Sequence, residues 1–286
     1  MPNSLVSIVM PSFNQADFIE LSVLSAINQD YSNIELIISD GGSTDATNQI
    51  LEQLQIEHEN IRWASEPDDG SSSAINKALS SVRGEIIGWL NSDDLYAKGA
   101  IKLVVDAFNA NPDWIMCYGQ GQHIDADGHV LGAYPTLPPS VSLRGFESGC
   151  FICQPTVFFK TSMLTLLGNL DETLKTAFDY DYWLRAFRSF PGRIGFIDSI
   201  LAQSRLHEDC ITVKMRETVA LEGLGLGKKH LGRAPAHWAT TYLEELRDQT
   251  RHDRADFLRR ANTFLNKAQT HLSANDLNQL KRSIQI

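Results

Sequence analysis

Residues 86–94 read Ile86-Ile87-Gly88-Trp89-Leu90-Asn91-Ser92-Asp93-Asp94, an apolar run closed by two adjacent carboxylates. A short apolar run of this kind is the pattern of a buried strand, the sort found in a parallel sheet covered by helices. In an open α/β sheet the carboxyl end of a strand is where ligands bind. Two carboxylates placed there repel each other unless something positive lies beside them. A hard divalent cation meets that need, and the cation in turn suits a diphosphate.

The same pattern extends outward. Strand candidates at Val6–Met10, Glu35–Ser39, Ile61–Ala64, Glu85–Leu90 and Trp114–Tyr118 alternate with helix-like segments near 17–28, 45–56, 72–82 and 98–110. That alternation predicts a mainly parallel α/β sheet. The first strand candidate ends in Pro11-Ser12-Phe13-Asn14 and the second in Asp40-Gly41-Gly42-Ser43-Thr44-Asp45. The third ends in Glu66-Pro67-Asp68-Asp69-Gly70, the fourth in Asn91-Ser92-Asp93-Asp94. Each cluster alone is ordinary turn or capping chemistry. Parallel strands would bring all four to one edge, where the repulsion among the acidic ones calls for a cation or donors. No Gly-x-Gly-x-x-Gly follows the first strand, and no Gly-Lys-Ser/Thr loop occurs. Both absences argue against the dinucleotide-binding dehydrogenases and the P-loop NTPases.

Beyond Tyr118, Asp125-Ala126-Asp127-Gly128 reads as a hairpin turn between Gln122–Ile124 and His129–Ala133. A strand-like run at Gln154–Phe159 and a helix starting near Asp179 follow, and from about Ile211 the chain reads as helical. Cys150 and Cys153 form a lone CxxC in an apolar stretch, which reads as two buried thiols in preference to a zinc or redox pair. The net charge of −10 argues against nucleic acid as a partner. It is unevenly spread: residues 1–213 hold 12 Lys+Arg against 27 Asp+Glu, residues 214–286 hold 13 against 8. With no apolar run of about 20 residues and no basic, apolar leader, a cytosolic location is expected.

These motifs, in this order, resemble those of family 2 glycosyltransferases with the GT-A fold, over roughly residues 5–212. The resemblance implies an inverting, hexosyltransferase-type transfer from a nucleotide-diphosphate sugar to a hydroxyl of a carbohydrate or lipid-linked acceptor. Cell-surface polysaccharide or glycolipid assembly is the usual setting. It divides the chain into a nucleotide-sugar half (1–120), an acceptor half (121–212) and a C-terminal helical extension (213–286). Pro11, Ser12, Phe13 and Asn14 match the first nucleotide-contacting loop, and Asp40 the aspartate that meets base or ribose. Glu66, Asp69, Asn76 and Lys77 fall in the second nucleotide segment. Asn91-Ser92-Asp93 stands at the family's Asp-x-Asp metal motif, which makes Asp93 the main ligand of a divalent ion (Mn2+ or Mg2+), with Asp94 as helper. Asn91 for the first aspartate and Ser73 for an aspartate before Ala74-Ile75-Asn76 are departures from the family pattern.

Phe178-Asp179-Tyr180-Asp181 lies where the family places Glu-Asp, with the aspartate as general base. The match gives that role to Asp179, with Asp181 as the fallback, and puts Phe178 in place of the glutamate. A helix would point Asp179 and Asp181 in different directions. Ser204-Arg205-Leu206-His207 resembles an Arg-x-His element whose histidine completes the metal shell or meets the diphosphate, and imidazole suits manganese better than magnesium. Gln154-Pro155-Thr156 is expected on the acceptor side.

Between His252 and Leu272, Phe257, Leu258, Ala261, Phe264, Leu265, Ala268 and Leu272 form a helical apolar stripe flanked by arginines. Such a stripe packs on the body or another subunit, the commoner use, or lies on the anionic inner face of a membrane. A nucleotidyltransferase is disfavoured because Pro11-Ser12-Phe13-Asn14 is not a glycine-rich basic loop. A non-catalytic nucleotide-sugar-binding or scaffold relative is the rival of a different class.

Overall fold

The computed structural model describes residues 3–285. Four parallel strands, β1 (Val6–Ser12), β2 (Ile34–Asp40), β3 (Ile61–Ser65) and β4 (Ile86–Trp89), form one half of a nine-stranded sheet in the order β3-β2-β1-β4. Helices α1 (Ile19–Ile27), α2 (Thr47–Glu57) and α3 (Ser71–Leu79) connect them. Ile8 and Met10 pack on one face of the sheet and Val9 on the other, all fully buried. Covering both faces is what makes these strands read as continuous apolar runs.

The second half of the sheet is mixed. After the short β5 (Leu95–Tyr96) and α4 (Ala100–Ala110) come β6 (Met116–Ile124), β7 (Val130–Ala133), β8 (Phe158–Lys160), α5 (Thr161–Leu167), α6 (Phe178–Ser189) and β9 (Ile194–Arg205). β8 lies antiparallel between β4 and β6, and β6 runs parallel to β9 from Met116 opposite Ile194 to Ile124 opposite Arg205. The turn at Asp125–Gly128 joins β6 to β7 as expected.

Three differences from the sequence reading have physical causes. Met116–Tyr118, the end of the expected Trp114–Tyr118 strand, and Gln122–Ile124 are parts of one strand, bulged around Gln120. Gly119 and Gly121 hide that continuity, yet close packing demands them: a Cβ would lie 2.7 Å from Leu201 Cδ1 and 2.4 Å from Cys153 Sγ, respectively. Gln154–Phe159 divides into a 3-10 turn at Gln154–Thr156 and then β8, because Pro155 cannot donate to a sheet ladder. The twelve-residue β9 carries Asp198 and Ser199 at its centre, which interrupts any apolar run.

From residue 211 the chain is helical: α7 (Ile211–Lys214), α8 (Arg216–Leu231), α9 (His237–Gln249), α10 (Arg254–Ala268) and α11 (Ala274–Ser283). Phe257, Ala261, Phe264, Leu265, Ala268 and Leu272 are buried against Leu224, Tyr242 and Leu246 of α8 and α9. The apolar stripe is therefore spent on packing, which removes it as a membrane-binding face. No helix among the described residues is long and apolar enough to cross a membrane.

Candidate active site

The ends of β1, β2 and β4 and the loop after β3 open into a cleft of about 1030 Å³. Residues 148–150, 152–155 and 176–180 also line it, and Arg216, His237, Trp238 and Tyr242 of the C-terminal helices close it.

At the end of β4 each polar side chain has a distinct task. β5 pairs antiparallel with β9, Leu95 opposite Gln203, which sets Asp93 and Asp94 beside Ser204–His207. Asp93 Oδ2 lies 3.0 Å from His207 Nε2, and the His207 ring packs on Phe18 with centroids 4.8 Å apart. Adjacent ligands of an octahedral divalent ion, with bonds of about 2.1 Å, lie about 3 Å apart. The Asp93–His207 spacing thus fits two adjacent positions of such an ion. The buried Arg205 fixes this corner: its amide donates to Asp94 Oδ1 (2.8 Å), its Nε to the Asp93 carbonyl (2.8 Å) and its Nη1 to the Asp125 and Ala126 carbonyls.

Asp94 is 3% exposed, and its second oxygen accepts from Asn91 Nδ2 at 3.1 Å. Burial and the charge of Asp93 push its carboxyl well above the usual range. Both oxygens being engaged, Asp94 braces the loop and does not stand as a ligand. Asn91 accepts from Trp89 Nε1 (3.0 Å) and donates to Gln154 Oε1 (2.9 Å) as well as to Asp94. An aspartate at 91 would set two carboxylates against each other, so the amide is what this packing admits. Ser92 is buried, with its carbonyl bonded by Ser22 Oγ.

The nucleotide-side expectations divide. Pro11, Ser12 and Phe13 line the cleft, and the Ser12 hydroxyl is buried with no protein partner. Asn14, in the left-handed region at φ 51°, ties the loop after β1 to the one after β2 by bonds to Ser43 Oγ and the Thr44 amide. Asp40 is a correction. It is fully buried, and the Ser43 and Ser65 hydroxyls and the Gly42 and Ser43 amides occupy its oxygens, so it shapes the loop without facing the cleft. Glu66 and Lys77 pair with each other at 2.9 Å outside the cleft. Asp69 is exposed and also outside, while its neighbour Asp68 lines the wall beside Gly41, where a Cβ would come 2.9 Å from Asp68 Oδ2. Asn76 is likewise corrected: its amide bonds Leu170 and Glu172 and holds α3 to that loop.

On the acceptor side, Phe178 is buried and stacks on Trp89 with centroids 5.7 Å apart, which explains an aromatic where a glutamate was expected. Asp179, in the first turn of α6, faces the cleft and accepts from the Tyr180 amide at 2.7 Å. Burial pushes its carboxyl up to about 6, and the Glu222 carboxylate adds to the rise. Asp181 is turned away from the cleft. Burial would raise it too, but the His230 hydrogen bond and the Arg185 and Lys229 charges outweigh that and hold it down to about 2. Its partners lie at 2.8 Å (Arg185 Nε), 2.8 Å (His230 Nε2) and 3.3 Å (Lys229 Nζ), which corrects its place as a fallback base. Two aspartates two residues apart are driven in opposite directions by their surroundings.

Cys150 and Cys153 both line the cleft as free thiols, pushed up by burial. Among the described residues, the one cluster of three acidic, histidine or cysteine groups close enough to share an ion is Asp125, Asp127 and His129, at the exposed β6–β7 turn. There Asp125 already accepts from the Asp127 and His129 amides.

Residues 7–165, more than half of the chain, match Glycosyl transferase family 2. The chain belongs to glycosyltransferase family 2. It is similar to an uncharacterized glycosyltransferase of Rickettsia conorii, 34% identical over 220 residues, covering 72% of this chain and 35% of that protein. It is also similar to chondroitin synthase of Escherichia coli, 31% identical over 210 residues, covering 73% of this chain and 30% of that one. The chain thus spans about a third of the length of these two relatives. In fold it resembles S. aureus TarS, solved with UDP (TM-score 0.66, 19% identity, 96% of this chain and 80% of that one). It also resembles the mannosyltransferase PcManGT of Pyrobaculum calidifontis, solved with GDP-Man and Mn2+ (TM-score 0.62, 18% identity, 98% and 79%). The curled, mostly parallel sheet is the GT-A fold of family 2 glycosyltransferases.

The matched segment ends within α5, so Asp179, His207 and the C-terminal wall lie beyond it. Glu222 had no signal in the sequence, and nothing there ranked Asp68 above its neighbour Asp69. Asp68 sits in a turn-like Pro-Asp-Asp-Gly, and Glu222 in an unremarkable helix.

Proposed function

We propose that this chain transfers a sugar from a nucleotide-diphosphate sugar to a hydroxyl of a carbohydrate or lipid-linked acceptor, with inversion at the anomeric carbon. One observation carries this reading: a single cleft joins the Asp93–His207 pair at the strand ends to Asp179, a carboxyl raised to about 6. A base whose ordinary proton affinity is raised toward the working pH combines ionisation with driving force for proton transfer.

Asp93 and His207 would hold a divalent ion, which when bound supplies charge neutralisation for a diphosphate. The Ser12 hydroxyl and the exposed face of Phe13 line the donor side of the same cleft. Asp179 accepts the proton of the acceptor hydroxyl through the carboxylate oxygen it does not share with Tyr180. The acceptor oxygen forms a bond to the anomeric carbon as the bond from that carbon to the diphosphate oxygen breaks. The proton rests on Asp179 and the nucleoside diphosphate leaves. One of the two relatives bears the name chondroitin synthase, which supports a polysaccharide product, and the TarS and PcManGT structures, solved with UDP and with GDP-Man, support a nucleotide-diphosphate donor.

A panel of UDP-, GDP-, dTDP- and CDP-sugars, each with and without MnCl2, tests the reading by thermal shift and by release of nucleoside diphosphate. One nucleotide should stabilise the protein only with manganese, by about 2.7 kcal/mol at a hundredfold excess over Kd. No shift with any donor, with or without metal, would sink the reading.

A further inference from the structure

Helix α6 opens without a cap of its own, since Ala177 at its N-cap offers no side-chain acceptor. The amides just before it are met from 45 residues further along the chain, by Glu222 on α8. Glu222 Oε2 accepts from the Thr176 amide (2.9 Å), the Thr176 hydroxyl (2.7 Å) and the Ala177 amide (2.9 Å), and Oε1 from the Lys175 amide (2.8 Å). Hydrogen bonds to a carboxylate are about twice as strong as neutral ones, and negative charge is favoured at a helix N-terminus. The clamped segment ends one residue before Phe178 and two before Asp179. Two turns further along α8, Lys229 and His230 hold Asp181 on the same helix α6. Helix α8 thus grips α6 at both its entry and its first turn.

We propose that Glu222 is a positioning residue for Asp179, so that helix α8 of the C-terminal extension completes the active site. The inference rests on the reading of Asp179 as the base. The contact is one that residues 7–165, where the family match lies, could not contain.

The ionisable groups facing Asp179 are Glu222 from α8 and Tyr134 and Cys150 from the loop that follows β7. Burial raises the phenol and the thiol, which leaves both neutral near pH 7. Asp181, with Arg185, Lys229 and His230, forms a closed cluster on the same helix, and the Lys175 ammonium is directed to the Asp69 carbonyl. Glu222 is therefore the facing charge whose removal Asp179 should register.

The test is a carbon-13 NMR titration of the full chain labelled at aspartate Cγ, with the Asp179 resonance assigned by its loss in Asp179→Asn. Glu222→Gln removes the charge and turns an amide toward backbone donors. Its Asp179 midpoint should fall by several tenths of a pH unit. If that variant does not fold, Thr176→Val breaks one of the four bonds. Loosening the segment then admits water, and the Asp179 midpoint should drift toward 3.8, the ordinary value. An Asp179 curve superimposable on that of the wild type, in whichever variant is folded, overturns the proposal. This readout does not depend on turnover, whereas retained turnover in Asp179→Asn would count against the base and leave the Glu222 contact standing.

Discussion

Replacing Asp179 with asparagine should make the protein more stable and far less active, and the two effects come from the same burial. Asparagine keeps the shape of the side chain and an oxygen for the Tyr180 amide, but it cannot ionise or take a proton. In the wild type the carboxyl is displaced from 3.8 to about 6. At 1.4 kcal/mol per tenfold change in proton affinity, that is about 3 kcal/mol against the ionised form. Its side chain keeps contact with water in the cleft, so about half, ~1.5 kcal/mol, is the expected effect on stability. The sign follows from linkage. Because the folded state binds this proton more tightly than the unfolded chain, stability from that proton is complete below pH 3.8 and is lost as the pH rises through about 6. Asp179→Asn removes this loss. Differential scanning fluorimetry should show the Tm difference near zero at the acid end, opening between pH 4 and 6.5 to about 2–3 °C in favour of the variant. Turnover at pH 7.5 should fall about 10²- to 10⁴-fold, the worth of general base catalysis. In the wild type kcat/KM should rise with pH to a plateau above about 6. A variant less stable than wild type at pH 8 would refute the burial argument, and turnover within about tenfold would show that another group takes the proton.

Other expectations follow from the strand ends and from α6. Asp93→Ala and His207→Ala should each cost about 10-fold or more in manganese-dependent nucleotide binding while the metal-free melting temperature moves by less than 2 °C; isothermal titration with and without MnCl2 decides. Asn91→Asp, which restores the family's carboxylate, should destabilise the protein by about 1–3 kcal/mol at pH 8, because the Asp94 bond becomes a repulsion; chemical denaturation showing no loss would mean the loop rearranges freely. Asp181→Asn leaves Arg185 and Lys229 facing no charge and should cost about 2 kcal/mol at neutral pH, since the carboxyl is held down to about 2 from 3.8. That contribution is complete above pH 3.8 and disappears as the pH falls through about 2, so wild type and variant, separated in urea melts at pH 7, should draw together at about pH 2.

The order of motifs along the chain was enough to predict the parallel half of the sheet whose strand ends border the cleft. Apolar runs with no polar face can be buried only in a sheet covered on both sides, and such strands run parallel, so their polar ends meet at one edge. β1 to β4 do so, and the helical stripe from Phe257 to Leu272 lies against apolar partners as its period required. What sequence could not rank was which carboxylate of each pair does chemistry. Asp93 and Asp94, Asp68 and Asp69, Asp179 and Asp181 are one or two residues apart and alike in composition. In the folded chain, Arg205 and Asn91 use up Asp94, the His230–Arg185–Lys229 cluster uses up Asp181, and the Ser43 and Ser65 hydroxyls use up Asp40. Asp68, Asp93 and Asp179 are left on the cleft wall. The partners that decide this come mostly from segments far along the chain, up to 114 residues away for Asp93 and 45 to 47 for the Glu222 clamp. A carboxylate's role depends on the donors opposite it and on its access to water, and only the tertiary structure brings those together.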